Sequence, residues 1–228
     1  IYDHVGGGFH RYATDAAWQV PHFEKMLYDN AQLARLYVAA FQATARPSFA
    51  RVARETLDYV AREMTAPGGG FYAASDADSE GEEGTFFLWT PAEIRAALSA
   101  PEADAVLAYY GVSERGNFEG RNILHVERPL ADVAATLGLT AEALAARLAP
   151  ARARLYEVRR RRIPPFTDTK ILAGWNGLMI SAFARAGAVL REPAYVERAR
   201  AAARFVLDRM QPDGSLRRIW IDGAAAED

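Results

Sequence analysis

The chain repeats itself at a distance, and that limits what it can fold into. A shift of 146 residues lays Asn30 on Asn176, Ala40 on Ala186, Pro47 on Pro193, Ala53 on Ala199, Arg54 on Arg200, Val60 on Val206 and Met64 on Met210. The punctuation repeats too: an apolar-striped segment, a Pro-led segment, a Gly turn (Gly68 to Gly70, then Asp213-Gly214) and a short strand. Each copy reads as two antiparallel helices closed by a turn. Such a pair cannot bury its apolar faces alone, so it must stack on others of its kind.

The helical stripes are explicit. From Pro21 to about Thr44 the apolar residues Phe23, Met26, Leu27, Leu33, Leu36, Tyr37, Ala40 and Phe41 recur at i, i+3, i+4, which predicts a core-facing helix. Pro47 suits the first turn of a second helix, striped by Phe49, Val52, Ala53, Leu57, Val60 and Met64. After the Pro67 to Gly70 breaker, FYAASDADSEGEEGTFFLW predicts a β-hairpin with an acidic turn. The fold expected is mainly α: an incomplete (α/α) helical-hairpin toroid with short β-hairpins at one end. Residues 1–228 read as a fragment of one toroid domain, with a helical insertion at about 91–162 between two hairpin units. The apolar helices from Pro21 and Leu172 are expected inside the ring, and the Arg-rich ones from Pro47 and Pro193 outside.

Composition excludes several classes. Without cysteine there is no disulfide, thiol nucleophile or thiolate metal site. A formal net charge of −2 gives no basic surface able to displace counterions, so no nucleic-acid partner is expected. The one basic block, Arg159 to Arg162, reads as cations placed at the negative end of a helix dipole. No apolar stretch reaches the roughly 18 residues of a membrane span, so no membrane partner is expected. The start at Ile1 reads as a piece of a longer, cytoplasmic protein. No dinucleotide, Walker or HExxH fingerprint occurs, and neither cofactor nor metal is expected.

In a ring of hairpins the Gly-rich turns and the N-termini of the inner helices gather at one end. The opening stretch GGGFHRYATDAAWQVPHFEKMLYDN would then bring His10, Arg11, Trp18, His22, Glu24, Lys25 and Asp29 to a cavity mouth. On a helix, His22, Lys25 and Asp29 share one face, so the imidazole could act as acid or base beside a carboxylate, or the group could be a capping and ion-pair cluster. Only Lys25 and Lys170 of the 27 basic residues are lysine, and each shortly precedes a matched asparagine. TDTKILAGWNG supplies Asp168, Lys170, Trp175 and Asn176; Asp168 is a catalytic carboxylate or an N-cap. In the acidic turn, Asp76, Asp78, Glu80 and Gly81 match half of an EF-hand loop, but Phe87 stands where the bidentate Glu is required. That turn remains a solvated loop, a looser cation site or a carboxylate pair working on a sugar. Trp18, Trp89 and Trp175 are expected at the cavity end, where indole faces suit sugar rings.

The motifs GGGFHRYATDAAWQVPHFEKMLYDNAQLA, SDADSEGEEGTFFLWTPAEI and DTKILAGWNGLMISAFARAG together resemble the YyaL-like family of spermatogenesis-associated, thioredoxin-domain-containing proteins. The resemblance implies a thioredoxin-like domain, with no counterpart in this chain, followed by a six-hairpin (α/α) toroid similar to N-acylglucosamine 2-epimerases and six-hairpin glycosidases. It further implies a carbohydrate pocket, and hence a small-molecule ligand such as a sugar. In the related epimerases histidines on inner helices move a proton next to a carbonyl. His22 is the analogue here, with Asp29 to orient it, Asp76, Asp78 or Asp168 as carboxylate partners and Trp175 as a stacking floor. His10 falls on the hairpin and His125 in the inserted region, so no second histidine is assigned. The rival reading is a non-catalytic ligand-binding or scaffold module serving the thioredoxin-like neighbour.

Overall fold

A computed structural model describes residues 1–221 and 223–226. Its helices are α1 (Leu27–Thr44), α2 (Pro47–Glu63), α3 (Pro91–Ala97), α4 (Ala100–Tyr109), α5 (Leu130–Thr136), α6 (Ala141–Arg159), α7 (Ala173–Leu190) and α8 (Pro193–Arg209). The strands are short: β1 (Tyr12–Ala13), β2 (Pro21–His22), β3 (Lys25–Met26), β4 (Ala74–Ser75), β5 (Asp78–Ser79), β6 (Glu82–Glu83), β7 (Thr167–Asp168), β8 (Ile171–Leu172), β9 (Ile219–Ile221) and β10 (Ala224–Ala226).

The repeat is real down to backbone angles. α1 ends on Ala45 and α7 on Arg191, both left-handed at φ 55° and 57°, and each cap N–H returns to a carbonyl of the last turn, Phe41 and Gly187. Two residues later Pro47 and Pro193 open α2 and α8 at the first helical turn. A non-glycine residue in that conformation costs about 1 kcal/mol. Both copies accept that cost, because the tight reversal lets each outer helix pack along its inner one. α1 and α7 lie side by side with α2 and α8 against them, and the four share a core of Leu27, Val38, Leu57, Val60, Met179 and Phe183. This is an arc of (α/α) hairpins, the mainly helical architecture expected. Helices α3 to α6 pack on one another around Trp89, Ile94, Val106, Leu144 and Leu155, a second core.

The matched asparagines hold the arc together. Asn30, fully buried, accepts the Phe9 N–H at 2.8 Å and donates to the Phe9 and Met26 carbonyls at 3.1 and 2.9 Å. Asn176, also fully buried, does the same with Phe71, at 2.8 and 3.0 Å, and with Leu172 at 3.1 Å. Phe9 and Phe71 each close a GGGF run, residues 6–9 and 68–71. Each inner helix therefore grips the glycine loop ahead of it, across 21 residues in one copy and 105 in the other. Gly8 shows why glycine is needed: at φ 78°, a Cβ would lie 2.6 Å from the Tyr59 ring.

Helix α1 starts at Leu27, six residues later than the stripe from Pro21 predicts. The structure resolves this segment with a period of two: Pro21, Phe23 and Lys25 are buried while His22 and Glu24 are half-buried. β2 pairs with β1, and β3 with β4, so the backbone amides are committed to ladders before the helix begins. The spacing of Phe23, Met26 and Leu27 fits a helix, but the alternation fits a strand, and pairing with β4 decides between them. His22 and Lys25 are thus not on one helix face with Asp29. The basic block does close a helix, α6, with Arg160 and Arg161 exposed, but two of its members turn inward. Arg159 is 2% exposed and bonded to Asp3, and the Arg162 guanidinium sits 4.1 Å from the Trp89 ring. Trp89 itself is fully buried in the α3–α6 core and lines no cavity mouth.

Replacing Asn30 or Asn176 by Ala removes three hydrogen bonds and strands a buried N–H, which should cost about 2–4 kcal/mol each by urea denaturation. An effect under about 1 kcal/mol at either site would dissociate the clamp from stability.

Candidate functional site

β4 lies between β3 and β7, with Met26, Ala74 and Asp168 opposite one another. Side chains alternate along a strand, so Glu24, two residues before Met26, and Asp76, two after Ala74, share that face with Asp168. The ladder runs on past its named end, where the Asp76 N–H donates to the Phe166 carbonyl at 2.8 Å. Three carboxylates 52 and more residues apart in sequence come to one face of a sheet at the N-termini of α1 and α7.

Side-chain contacts extend the group. The Arg11 guanidinium donates to Glu24 at 2.9 Å, and Glu24 also lies 3.7 Å from His22 Nε2. His22 Nδ1 donates to Glu83 at 2.7 Å, and its ring stacks on Tyr12 with centroids 5.0 Å apart. Glu83, at the end of the acidic hairpin, is therefore the carboxylate that orients His22; Asp29 makes no bond to it. Asp78 is exposed and stands opposite Glu83 in the β5–β6 pair, so the rest of the acidic turn adjoins this histidine. Glu83 lies in the acidic turn that the sequence shows, but its histidine partner is 61 residues away, beyond any local signal.

Asp29, in the first turn of α1, has one carboxylate oxygen buried and without a partner. Burial raises its carboxyl above the ordinary range; Arg11 opposes the shift and Glu24 adds to it. Beside it, Tyr28 packs edge-on against Trp175 of α7, centroids 4.7 Å apart. Asp168 is not an N-cap: it sits on β7, five residues before α7, and pairs with Lys170 at 3.1 Å. The face thus presents Arg11, Glu24, Asp29, Asp76, Asp168, Lys170 and Trp175, with the His22–Glu83 pair at one margin.

Four residues expected to touch a ligand here lie elsewhere. Lys25 points to the opposite face of β3, is 1% exposed, and donates to Asp3 at 2.7 Å and to the Gly7 carbonyl at 2.8 Å, with its ammonium 4.2 Å from the Tyr59 ring. Asn176 is consumed by the loop clamp. His10 is 4% exposed, with Nδ1 donating to the Phe23 carbonyl at 2.7 Å. Trp18 stands apart on the 14–20 loop, 66% exposed. Asp3, which sequence reasoning missed, neutralises both Lys25 and Arg159, the latter through a bidentate pair at 2.8 Å. Burial alone would raise its carboxyl, but the Arg159 and Lys25 cations hold it well below the usual carboxylate range. No local signal marks Asp3, because its guanidinium partner is 156 residues away. Among the described residues no group of three or more His, Asp or Glu side chains is placed to hold a metal ion. No helix among them is long and apolar enough to cross a membrane.

With the geometry in place, sequence comparison is decisive. The chain is 41% identical over 235 residues to spermatogenesis-associated protein 20 of Homo sapiens, covering 92% of this chain and 30% of that protein. The chain is a homologue of part of that protein. The same protein of Rattus norvegicus is 41% identical over 251 residues, with 98% and 32% covered. An uncharacterized protein of Caenorhabditis elegans is 32% identical over 252 residues, with 100% and 34% covered. The chain therefore spans about a third of the length of these relatives. No family model matches it. Among solved structures it is similar to a D-mannose isomerase (13% identity, 96% of this chain and 51% of that one, TM-score 0.31). It is also similar to a cellobiose 2-epimerase from Spirochaeta thermophila (16%, 100% and 70%, TM-score 0.30). Likeness at that level supports no statement about activity.

The buried imidazole of His10 sets a pH dependence. Burial, and then the Lys25 charge, push it down to about 3 from an ordinary 6.5. Between those values the unfolded chain takes up a proton that the folded chain refuses, so stability falls as pH drops through this window. From pH 7 to 5 His10 contributes a loss of about 2 kcal/mol, and His4, which burial pushes down to about 4, adds a similar amount, so urea titrations should show a loss of about 4 kcal/mol. A flat profile over that range would show that the folded protein accepts the proton.

Proposed function

We propose that the carboxylate face at the N-termini of α1 and α7 is the working end of a carbohydrate-active enzyme. The observation that carries this reading is Asp29: a carboxyl with a shielded, unpartnered oxygen, its pKa raised by burial, next in the chain to Tyr28, which packs on Trp175. A carboxyl whose proton is held more tightly than usual is suited to donate it, and the Trp175 indole at the same end of the helices suits the apolar face of a sugar ring. His22, held by Glu83, supplies an oriented imidazole of the kind needed to take a proton. Together they favour isomerisation or epimerisation, a proton moved next to a sugar carbonyl. In the glycoside hydrolase alternative, Asp29 is the acid, with Asp76 or Asp168 as the second carboxylate. Arg11, Glu24 and Lys170 line the same face as hydrogen-bonding groups for hydroxyls. The thioredoxin-like domain expected from the sequence belongs to this proposal as an adjoining part of the longer protein.

The test uses the full-length protein and a panel of mannose, glucose, N-acetylglucosamine and cellobiose in D2O. Deuterium entering at C2 reports proton transfer, and new reducing ends report hydrolysis. Asp29→Asn should lower kcat by about 100-fold or more, and Trp175→Ala should raise KM by roughly tenfold with a smaller effect on kcat. Saturable sugar binding that Trp175→Ala weakens, with neither deuterium uptake nor cleavage, would replace the enzyme by the non-catalytic binding module. Turnover unchanged in both variants would remove the site.

A further inference from the structure

A cleft of about 530 Å3 opens between the 14–20 loop and residues 123–127, and none of Glu24, Asp29, Asp76, Asp168 or Trp175 lines it. The apolar parts of its wall are formed by side chains that include Val5, Phe23, Phe87 and Leu124. The charged side chains in its lining are already matched. Asp3 takes Lys25, Arg159 and the Val5 and Gly6 N–H groups, and His125 Nε2 lies 2.9 Å from Glu127. A charged ligand would lose its hydration there without gaining a counterion, so the cleft selects a neutral one.

His10 gives the lining an acceptor whose position is fixed. Its Nδ1 faces a carbonyl, which only accepts, so Nδ1 carries the hydrogen and Nε2 a lone pair. No protein group bonds Nε2, and the ring is fixed edge-on to Phe23 and Phe87 at 5.3 and 4.7 Å. That lone pair opens on the cleft, where a ligand hydroxyl can donate to it. Trp18 is the second unusual group. The Asp15 carboxylate gathers the N–H groups of Ala17, Gln19 and Val20 at 3.1, 2.9 and 2.7 Å and so fixes the loop. Trp18 is thereby held at φ 60°, a conformation that costs a bulky side chain roughly 1–2 kcal/mol, with its indole exposed where it lines the cleft. Strain kept at a cleft mouth, in a residue whose ring covers nothing else, marks a place where a ligand is expected.

We propose that this cleft is a second binding site, for a neutral aromatic compound bearing a hydroxyl group. The hydroxyl donates to His10 Nε2, and the ring lies between the Phe23–Phe87 wall and the Trp18 indole. This site is independent of the carboxylate face, and its occupancy does not require sugar turnover.

Phenol and anisole separate the contributions, because they share a ring and only phenol donates. Ligand-observed NMR titrations of the full-length protein should show phenol bound about fivefold more tightly than anisole. His10→Leu should abolish that preference while anisole still binds, showing the cleft intact. Trp18→Gly relieves the backbone strain and should weaken both ligands about three- to tenfold. If His10→Leu does not fold, the wild-type preference together with the Trp18→Gly loss decides the matter. Equal affinities in the wild type, unchanged binding in Trp18→Gly, or no saturable binding of either compound would overturn the proposal.

Discussion

The structure depends on one hydrogen-bonding pattern made twice. Asn30 and Asn176 each hold both backbone groups of a phenylalanine that closes a glycine loop. A side-chain amide suits this role, since it offers a donor and an acceptor side by side, as a strand edge does. Buried in the first turn of an inner helix, it turns a flexible glycine run into a fixed connection. Because both copies do so at the same helix end, β3, β4 and β7 meet there, and so do the side chains they carry.

A second constraint separates chemistry from support. The segment from Pro21 to Met26 is extended, so neighbouring residues point to opposite sides. On the inner side Lys25 meets Asp3, which also binds Arg159, and the cluster is sealed by Tyr59 and Phe87. Buried charges hold their place only when matched, and removing one leaves the others exposed to the full cost of desolvation. The cluster therefore fixes the strand's facing, leaving His22 and Glu24 on the outer side. The basic run at the end of α6 serves this interior through Arg159 and carries no exposed cationic patch of its own at that residue.

Much of the architecture was legible. The 146-residue repeat, the prolines at 47 and 193 and the glycine turns are local signals, and they give helical hairpins, their reversal points and their stacking. The site was legible only as a neighbourhood. Arg11, Glu24, Asp29, Asp76, Asp168 and Trp175 do share an end of the arc. The partner of His22 was misjudged, because Asp29 is close in sequence while Glu83 is close in space. Lys25 and His10 looked available because polar residues near a glycine loop normally meet water. Their burial follows from Asp3 and the Phe23 carbonyl, contacts that no spacing rule encodes. The GGGF runs were visible as turns, but their shared role appears only once each is seen bonded to its asparagine.

By itself, then, the sequence determined the helical pairs, their reversal points and the end at which polar residues collect, because periodicity and turn chemistry act over a few residues. The tertiary structure alone decided where α1 begins, which face of β3 looks outward and which carboxylate serves which cation or imidazole. Those outcomes depend on ladder pairing and on matching buried charges between segments as far apart as Asp3 and Arg159, and the chain settles them only when it closes.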